Sequence, residues 1–238
     1  MGIITIAIDD GYKDTYDHCA GFLAENGIPA TFAVPSDHLG STLENRPVLS
    51  TDDLLHLRDS GHEIAAHTRS HRNLLDVLNL EGEKKAREEM LRAKEALEKI
   101  LGETVESMVF PFIENNNNQL LRSIASEYFR SSRITSATPV FNPLPVGDPF
   151  SITGTAITTA HTPEECNRLV DTVIREDTWL IEVFHLISEK NTKSAHRDEA
   201  YRYFTSIEDF REHIRYIRSK GISVMTQREV IEKYGQPG

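Results

Sequence analysis

The run Ile3-Ile4-Thr5-Ile6-Ala7-Ile8-Asp9-Asp10-Gly11-Tyr12 constrains the fold more than any other stretch. Its first six residues are apolar or β-branched with no polar alternation. That pattern reads as a strand buried on both faces, as in a parallel sheet. The run then ends abruptly in two carboxylates and a glycine. The C-terminal ends of such strands are where α/β folds build their sites. Two adjacent carboxylates repel each other unless a cation or separate roles account for them. A helix N-cap would account for one Asp, but it leaves the second Asp and the glycine without a reason.

A second strand ends in the same way. Residues 63–66 are followed by His67-Thr68-Arg69-Ser70-His71. An i, i+4 spacing puts both imidazoles on one face of a helical turn, so both can reach one ion. Asp10, His67 and His71 then offer two imidazoles and one carboxylate, with positions left open for water. That donor set belongs to a catalytic zinc- or iron-like site, not to a closed structural one. His56 and His62 fall before the strand end and read as structural.

Strand and helix patterns alternate about seven times along the chain. Helices are expected over 13–26, 51–60, 80–101, 119–127, from Pro163, over 206–220 and over 227–234. Strands are expected over 28–34, 63–66, 107–110, 128–134, 150–153 and 178–184. The Glu and Lys face of the 80–101 helix reads as solvated. Loops are expected over 37–50, 136–147 and 188–202, and Asn115 to Asn118 as a cap for the helix that follows. This alternation implies an α/β fold with a parallel sheet, closed as a barrel or doubly wound. Polar residues at the ends of three separate strands favour a barrel with one site at its mouth.

The 238 residues show no internal repeat or change of composition, so residues 1–238 read as a single catalytic domain. A formal net charge of −11 argues against nucleic acid or an anionic membrane surface as partner. No apolar run approaches the roughly 20 residues needed to span a bilayer. No signal peptide is recognisable, which reads as cytoplasmic, or as secreted if a leader has been removed. Cys19 and Cys166 fall on expected helices and read as buried free thiols.

The two strand-end clusters together resemble the polysaccharide deacetylase family, also known as the NodB-homology or carbohydrate esterase 4 family. Ala7-Ile8-Asp9-Asp10-Gly11 is similar to its Thr-Phe-Asp-Asp-Gly motif. His67-Thr68-Arg69-Ser70-His71 is similar to its His-Ser/Thr-x-x-His motif, in the same order and separation. Residues 179–185 resemble its last strand, which carries a catalytic His, and the tail from Phe204 through Thr226 is also similar. The resemblance implies a distorted (β/α)7 barrel and a divalent metal, Zn2+ first, with Co2+ or Ni2+ as alternatives, on Asp10, His67 and His71. It assigns Asp9 as general base and His185 as general acid. It also places Pro111 and Phe112 at the substrate, with the Phe112 N–H as oxyanion donor. Val109 stands where the family's base-orienting Arg belongs, and Arg130 and Arg133 are the candidates to replace it. The Asp-Trp pair of the fourth motif has no counterpart over 150–156, and Leu186 follows His185 where Asp is usual. Trp179 reads as core. The function implied is metal-dependent removal of acetyl groups, N-acetyl and also O-acetyl, from amino-sugar-containing glycans. The alternatives are a metal-independent cyclic-amide hydrolase on the same fold and a weakly active carbohydrate-binding relative.

Overall fold

Seven parallel strands close on themselves around the strand formed by the opening isoleucine run. The computed structural model describes residues 2–112, 118–189 and 202–235. In chain order the first half contains β1 (Ile3–Ile8), α1 (Lys13–Glu25), β2 (Ala30–Val34), the short pair β3 (Thr42–Leu43) and β4 (Arg46–Pro47), α2 (Thr51–Asp59), β5 (Glu63–Ala66), α3 (Leu74–Glu81) and α4 (Glu83–Leu101). β6 (Ser107–Val109), α5 (Gln119–Tyr128), β7 (Ser131–Ser136), β8 (Ile152–Ala156), α6 (Pro163–Glu176) and β9 (Trp179–Phe184) follow. β10 (Leu186–Ser188), β11 (Phe204–Ser206), α7 (Ile207–Ser219), β12 (Ser223–Val224) and α8 (Gln227–Tyr234) complete the described chain.

The barrel runs β1-β2-β5-β6-β7-β8-β9, and β9 pairs back onto β1 from Ile3↔Trp179 to Ile8↔Phe184. The fold is therefore the expected (β/α)7 barrel. Its distortion has a visible source. β12 pairs with Ile3 and Ile4, and β2 with Ile6 to Ile8, so two strands share one edge of β1. β1 is buried at every position because its two faces meet different cores. Ile4, Ile6 and Ile8 pack in the layer that holds Leu23 of α1 and Leu97 of α4. Ile3 and Ala7 pack with Trp179, Ile181 and Val183 and with Val230 and Ile231 of α8, which plugs the barrel floor. Trp179 is core, as its strand pattern implies.

Several boundaries differ from the sequence reading. The helix expected over 80–101 is two helices broken at Gly82, whose φ of +88° suits glycine alone. The first of them starts at Leu74, where the Asn73 side chain accepts the N–H groups of Leu75 and Asp76. The Glu and Lys face of the second, α4, is not uniformly solvated, because Glu89 is buried. The stretch 37–50 holds the β3–β4 hairpin, turned through Glu44 and Asn45, both at positive φ. β7 and β8 each start two or three residues later than expected, fixed by the pairing Arg133↔Ile152. An unexpected short strand, β10, ends where the expected 188–202 loop begins and pairs with β11; most of that loop lies outside the described residues. Asn118 caps α5 through Leu121 N–H (3.0 Å), and the Asn residues before it lie outside the described residues. Cys19 and Cys166 are free and buried. Among the described residues, no helix is long and apolar enough to cross a membrane.

Candidate active site

Asp10, His67 and His71 converge at the C-terminal mouth of the barrel. Asp10 follows β1 and the two histidines follow β5. Their ligand atoms lie within 4.8 Å of one another, with Asp10 Oδ1 3.3 Å from His67 Nε2 and 3.0 Å from His71 Nε2. The convergence does not come from a helical turn. Residues 67–71 form a loop in which Thr68 and His71 take left-handed backbone, φ +61° and +54°. Thr68 Oγ1 accepts the His71 N–H at 3.0 Å and closes that loop. Asp10 and Phe112 are left-handed too, at +70° and +63°. Four non-glycine residues in that region around one site store strain that the surrounding packing must hold.

The donor chemistry fits a cation. His67 Nδ1 lies 2.9 Å from the Val109 carbonyl oxygen, so Nδ1 carries the proton. In the neutral ring Nε2 is then a lone pair facing the Asp10 carboxylate. Two acceptors face each other at 3.3 Å, which needs a proton or a metal ion to reconcile. Burial pushes the Asp10 carboxyl up, but the charge of His71 and the closeness of both imidazoles outweigh it and hold the group well below the usual carboxylate range. Burial pulls His71 down, and the Asp10 charge overcomes it and pushes the imidazole up. Neither Asp caps a helix: the N-cap of α1 is Tyr12, whose hydroxyl donates to Glu44 (3.0 Å).

Asp9, the residue before Asp10, is 1% exposed. Its Oδ1 accepts from Arg133 Nη2 at 2.6 Å, and the Arg133 side chain is fully buried. Of the two arginines considered as replacements, Arg133 on β7 is the one that reaches Asp9. Arg130 faces Glu106 instead. Arg133 Nη1 also donates to Thr135 Oγ1 (3.1 Å). Room for the guanidinium comes from Gly154 on β8, where a Cβ would sit 3.2 Å from both Arg133 Cδ and Nη1, and 2.5 Å from Val183 Cγ2. A glycine inside a strand marks a close approach; here the nearest atom is Val183 Cγ2, and the arginine lies just beyond it.

His185 directly follows β9. Its backbone is clamped by Thr15 of α1, whose hydroxyl donates to the His185 carbonyl (2.8 Å) and accepts the Ile187 N–H (3.0 Å). The His185 ring lies 4.8 Å from the Tyr203 ring, and its charge reaches Asp10. Its Nδ1 is buried with no hydrogen-bond partner among the described residues, so no carboxylate orients the ring there. Phe112 follows Pro111 beyond β6. It is 43% exposed, and its ring stands 5.1 Å from that of His71.

The sequence reading missed Thr15, Gly154 and Glu89. Gly154 had a signal, being a glycine within a β-branched run. Thr15 had none, since a threonine in a helix is unremarkable by itself. Glu89 had one: it stands on the apolar stripe of Ala86, Met90, Ala93 and Leu97.

One family profile, polysaccharide deacetylase, matches residues 2–128, more than half of the chain. The chain belongs to the polysaccharide deacetylase family. No curated protein matches its sequence. Several solved structures share the deacetylase fold. A polysaccharide deacetylase-like protein from Mycobacterium smegmatis aligns with TM-score 0.63 at 17% identity, over 98% of this chain and 89% of that one. The carbohydrate esterase 4 domain of a multidomain xylanase from the hindgut metagenome of Trinervitermes trinervoides gives 0.62 at 15%, over 99% and 92%. A family 4 acetyl xylan esterase from Clostridium thermocellum, in complex with a cobalt ion, gives 0.60 at 16%, over 99% and 93%. At these identities the likeness is one of fold.

Proposed function

We propose that this deacetylase-family protein is a metal-dependent hydrolase that removes N-acetyl groups, and also O-acetyl groups, from amino-sugar-containing glycans. The observation that carries the reading is the Asp10, His67 and His71 trio, with the adjacent residue Asp9 already paired with a buried arginine. A divalent cation held by that trio, with Zn2+ preferred over Co2+ or Ni2+, would supply Lewis acidity to the amide carbonyl. The chain's own groups do the rest. Asp9 takes a proton from the attacking water while Arg133 holds its carboxylate in place. The Phe112 N–H, on a left-handed residue beside His71, hydrogen-bonds the developing oxyanion, and Pro111 fixes the chain that presents it. His185 gives a proton to the nitrogen as the C–N bond breaks, so acetate and a free amine leave.

The trio counts against a metal-independent cyclic-amide hydrolase. One observation favours a second reading, a carbohydrate-binding relative of weak activity: His185 Nδ1 has no carboxylate to orient it. The Arg133–Asp9 pair removes the other reason for that reading, the missing third-motif arginine. Metal content and acetate release from N-acetylglucosamine oligosaccharides, with added Zn2+, Co2+ or Ni2+, separate the three readings. Parent protein is expected to bind one metal ion per chain and release acetate, and His71→Ala to lose both. Metal bound as tightly by His71→Ala as by the parent refutes the ligand assignment.

A further inference from the structure

We infer that Glu89 is a positioning residue for the cation site, acting through the loop that carries both histidines. The inference rests on the reading of Asp10, His67 and His71 as metal ligands. Glu89 lies on α4, away from the barrel strands, and is 3% exposed. Both of its ends grip the His67–His71 loop. Its side chain accepts the Ser70 N–H (3.0 Å) and the Ser70 hydroxyl (2.9 Å), and its main-chain carbonyl accepts the Arg69 N–H (2.9 Å). Ser70 immediately precedes His71. The Glu89 grip on Arg69 and Ser70 and the Thr68 hydroxyl on the His71 N–H therefore together fix the loop that presents His71.

A neutral amide could also accept the Ser70 N–H, though more weakly, so the hydrogen bond by itself does not call for a charge. Burying a carboxylate without a cation is costly. Among the described residues Glu89 forms no ion pair, and Arg72, which feels its charge, pairs with Glu81 instead. A site that takes up a divalent cation one residue away makes such a buried charge useful twice. It holds a strained loop through charge-assisted hydrogen bonds, and it adds a negative potential behind the His71 ligand. The loop needs that hold: Thr68 is β-branched and left-handed, a conformation that relaxes when its neighbours release it.

The test is metal affinity, measured with Co2+ by visible absorption and with Zn2+ by chelator competition, on parent, Glu89→Gln and His71→Ala. The metal-free urea midpoint of each is measured alongside. Glu89→Gln keeps the volume and one acceptor but removes the charge. It is expected to bind metal roughly 10-fold more weakly than the parent, with an altered Co2+ spectrum and a metal-free urea midpoint close to the parent's. Unchanged affinity in Glu89→Gln, with His71→Ala strongly impaired, overturns the role of Glu89 and leaves the ligand assignment standing. A weakened affinity matched by an equal loss of metal-free stability also overturns it, assigning Glu89 to packing. Should His71→Ala bind as the parent does, the ligand assignment fails and the inference falls with it. If Glu89→Gln does not fold, Ser70→Ala takes its place, with at least about a threefold loss of affinity expected. Parent-like affinity there is the refuting result.

Discussion

The ion pair between Asp9 and Arg133 makes the sharpest quantitative prediction. Both side chains are out of water, at 2% and 0% exposure, and their atoms meet at 2.6 Å. Removing one partner strands the other charge in the barrel, which typically costs about 3–5 kcal/mol. Replacing both with neutral groups of similar size removes both desolvation penalties and costs far less. For Arg133→Met, a loss near 4 kcal/mol corresponds to a fall in Tm of roughly 12 °C in a chain of this size. Asp9→Asn is expected to lose a comparable amount, because it leaves the guanidinium unpaired. The Asp9→Asn, Arg133→Met double variant should lose only about 2 kcal/mol where the two single losses total about 8, a coupling energy of about 6 kcal/mol. The assay is thermal and urea unfolding of the four metal-free proteins, so that metal affinity does not enter. Additivity within about 0.5 kcal/mol would show that the two groups do not depend on each other, and the account of how the base is held would be wrong.

Other outcomes follow from the same site and its surroundings. Gly154→Ala places a methyl against Arg133 and Val183 and is expected to cost about 1–3 kcal/mol while slowing turnover; a folded variant with parent-like rate contradicts the role given to the glycine. His185→Ala should lose on the order of 100-fold on an N-acetylated sugar and far less on an activated acetate ester, because an amide needs its nitrogen protonated to leave. Equal losses in paired rate measurements would instead assign His185 to substrate placement. His62 accepts the Ala30 N–H on Nδ1, and burial pushes its imidazole down to about 4. The unfolded chain takes up a proton there below about 6.5 while the fold does not. Stability therefore falls by about 3 kcal/mol as pH drops from about 6.5 towards about 4, and levels off below that. His62→Asn, whose Oδ1 can replace Nδ1 as acceptor, should flatten that part of the urea-midpoint profile; an unchanged pH profile excludes His62 as its source.

The barrel and the convergence of Asp10, His67 and His71 were legible in the sequence for a physical reason. A parallel strand buried on both faces leaves few places for polar residues, so Asp9, Asp10, His67 and His71 stand out at strand ends. How those residues converge was not legible. The loop from His67 to His71 depends on two left-handed residues, and β-branched Thr68 gives no sign in the sequence that it adopts a region its side chain disfavours. The break at Gly82 was hidden because the residues on both sides are good helix formers. β10 and β11 were hidden because three-residue strands beside a polar loop show no period. Arg133 was considered but could not be chosen over Arg130, since the two differ only in which strand position faces inward, and the start of β7 lay three residues from its expected place. Glu89 was read with the solvated face of its helix, although its spacing from Ala86 and Ala93 put it on the buried one.

The pairing of Arg133 with Gly154 changes how a missing motif residue should be interpreted in related chains. Around a closed ring of strands, the space above a given carboxylate is reached from more than one direction, and the cation that fills it is defined by a volume, not by a place in the linear sequence. An arginine can leave the end of one strand and reappear inside the next, provided that the strand beyond gives up its side chain to admit it. The lost arginine and the gained arginine–glycine pair would then be inherited as one exchange. A chain with valine at the motif position and this pair on the next two strands is rewired; a chain with valine and no such pair has lost the function of the position.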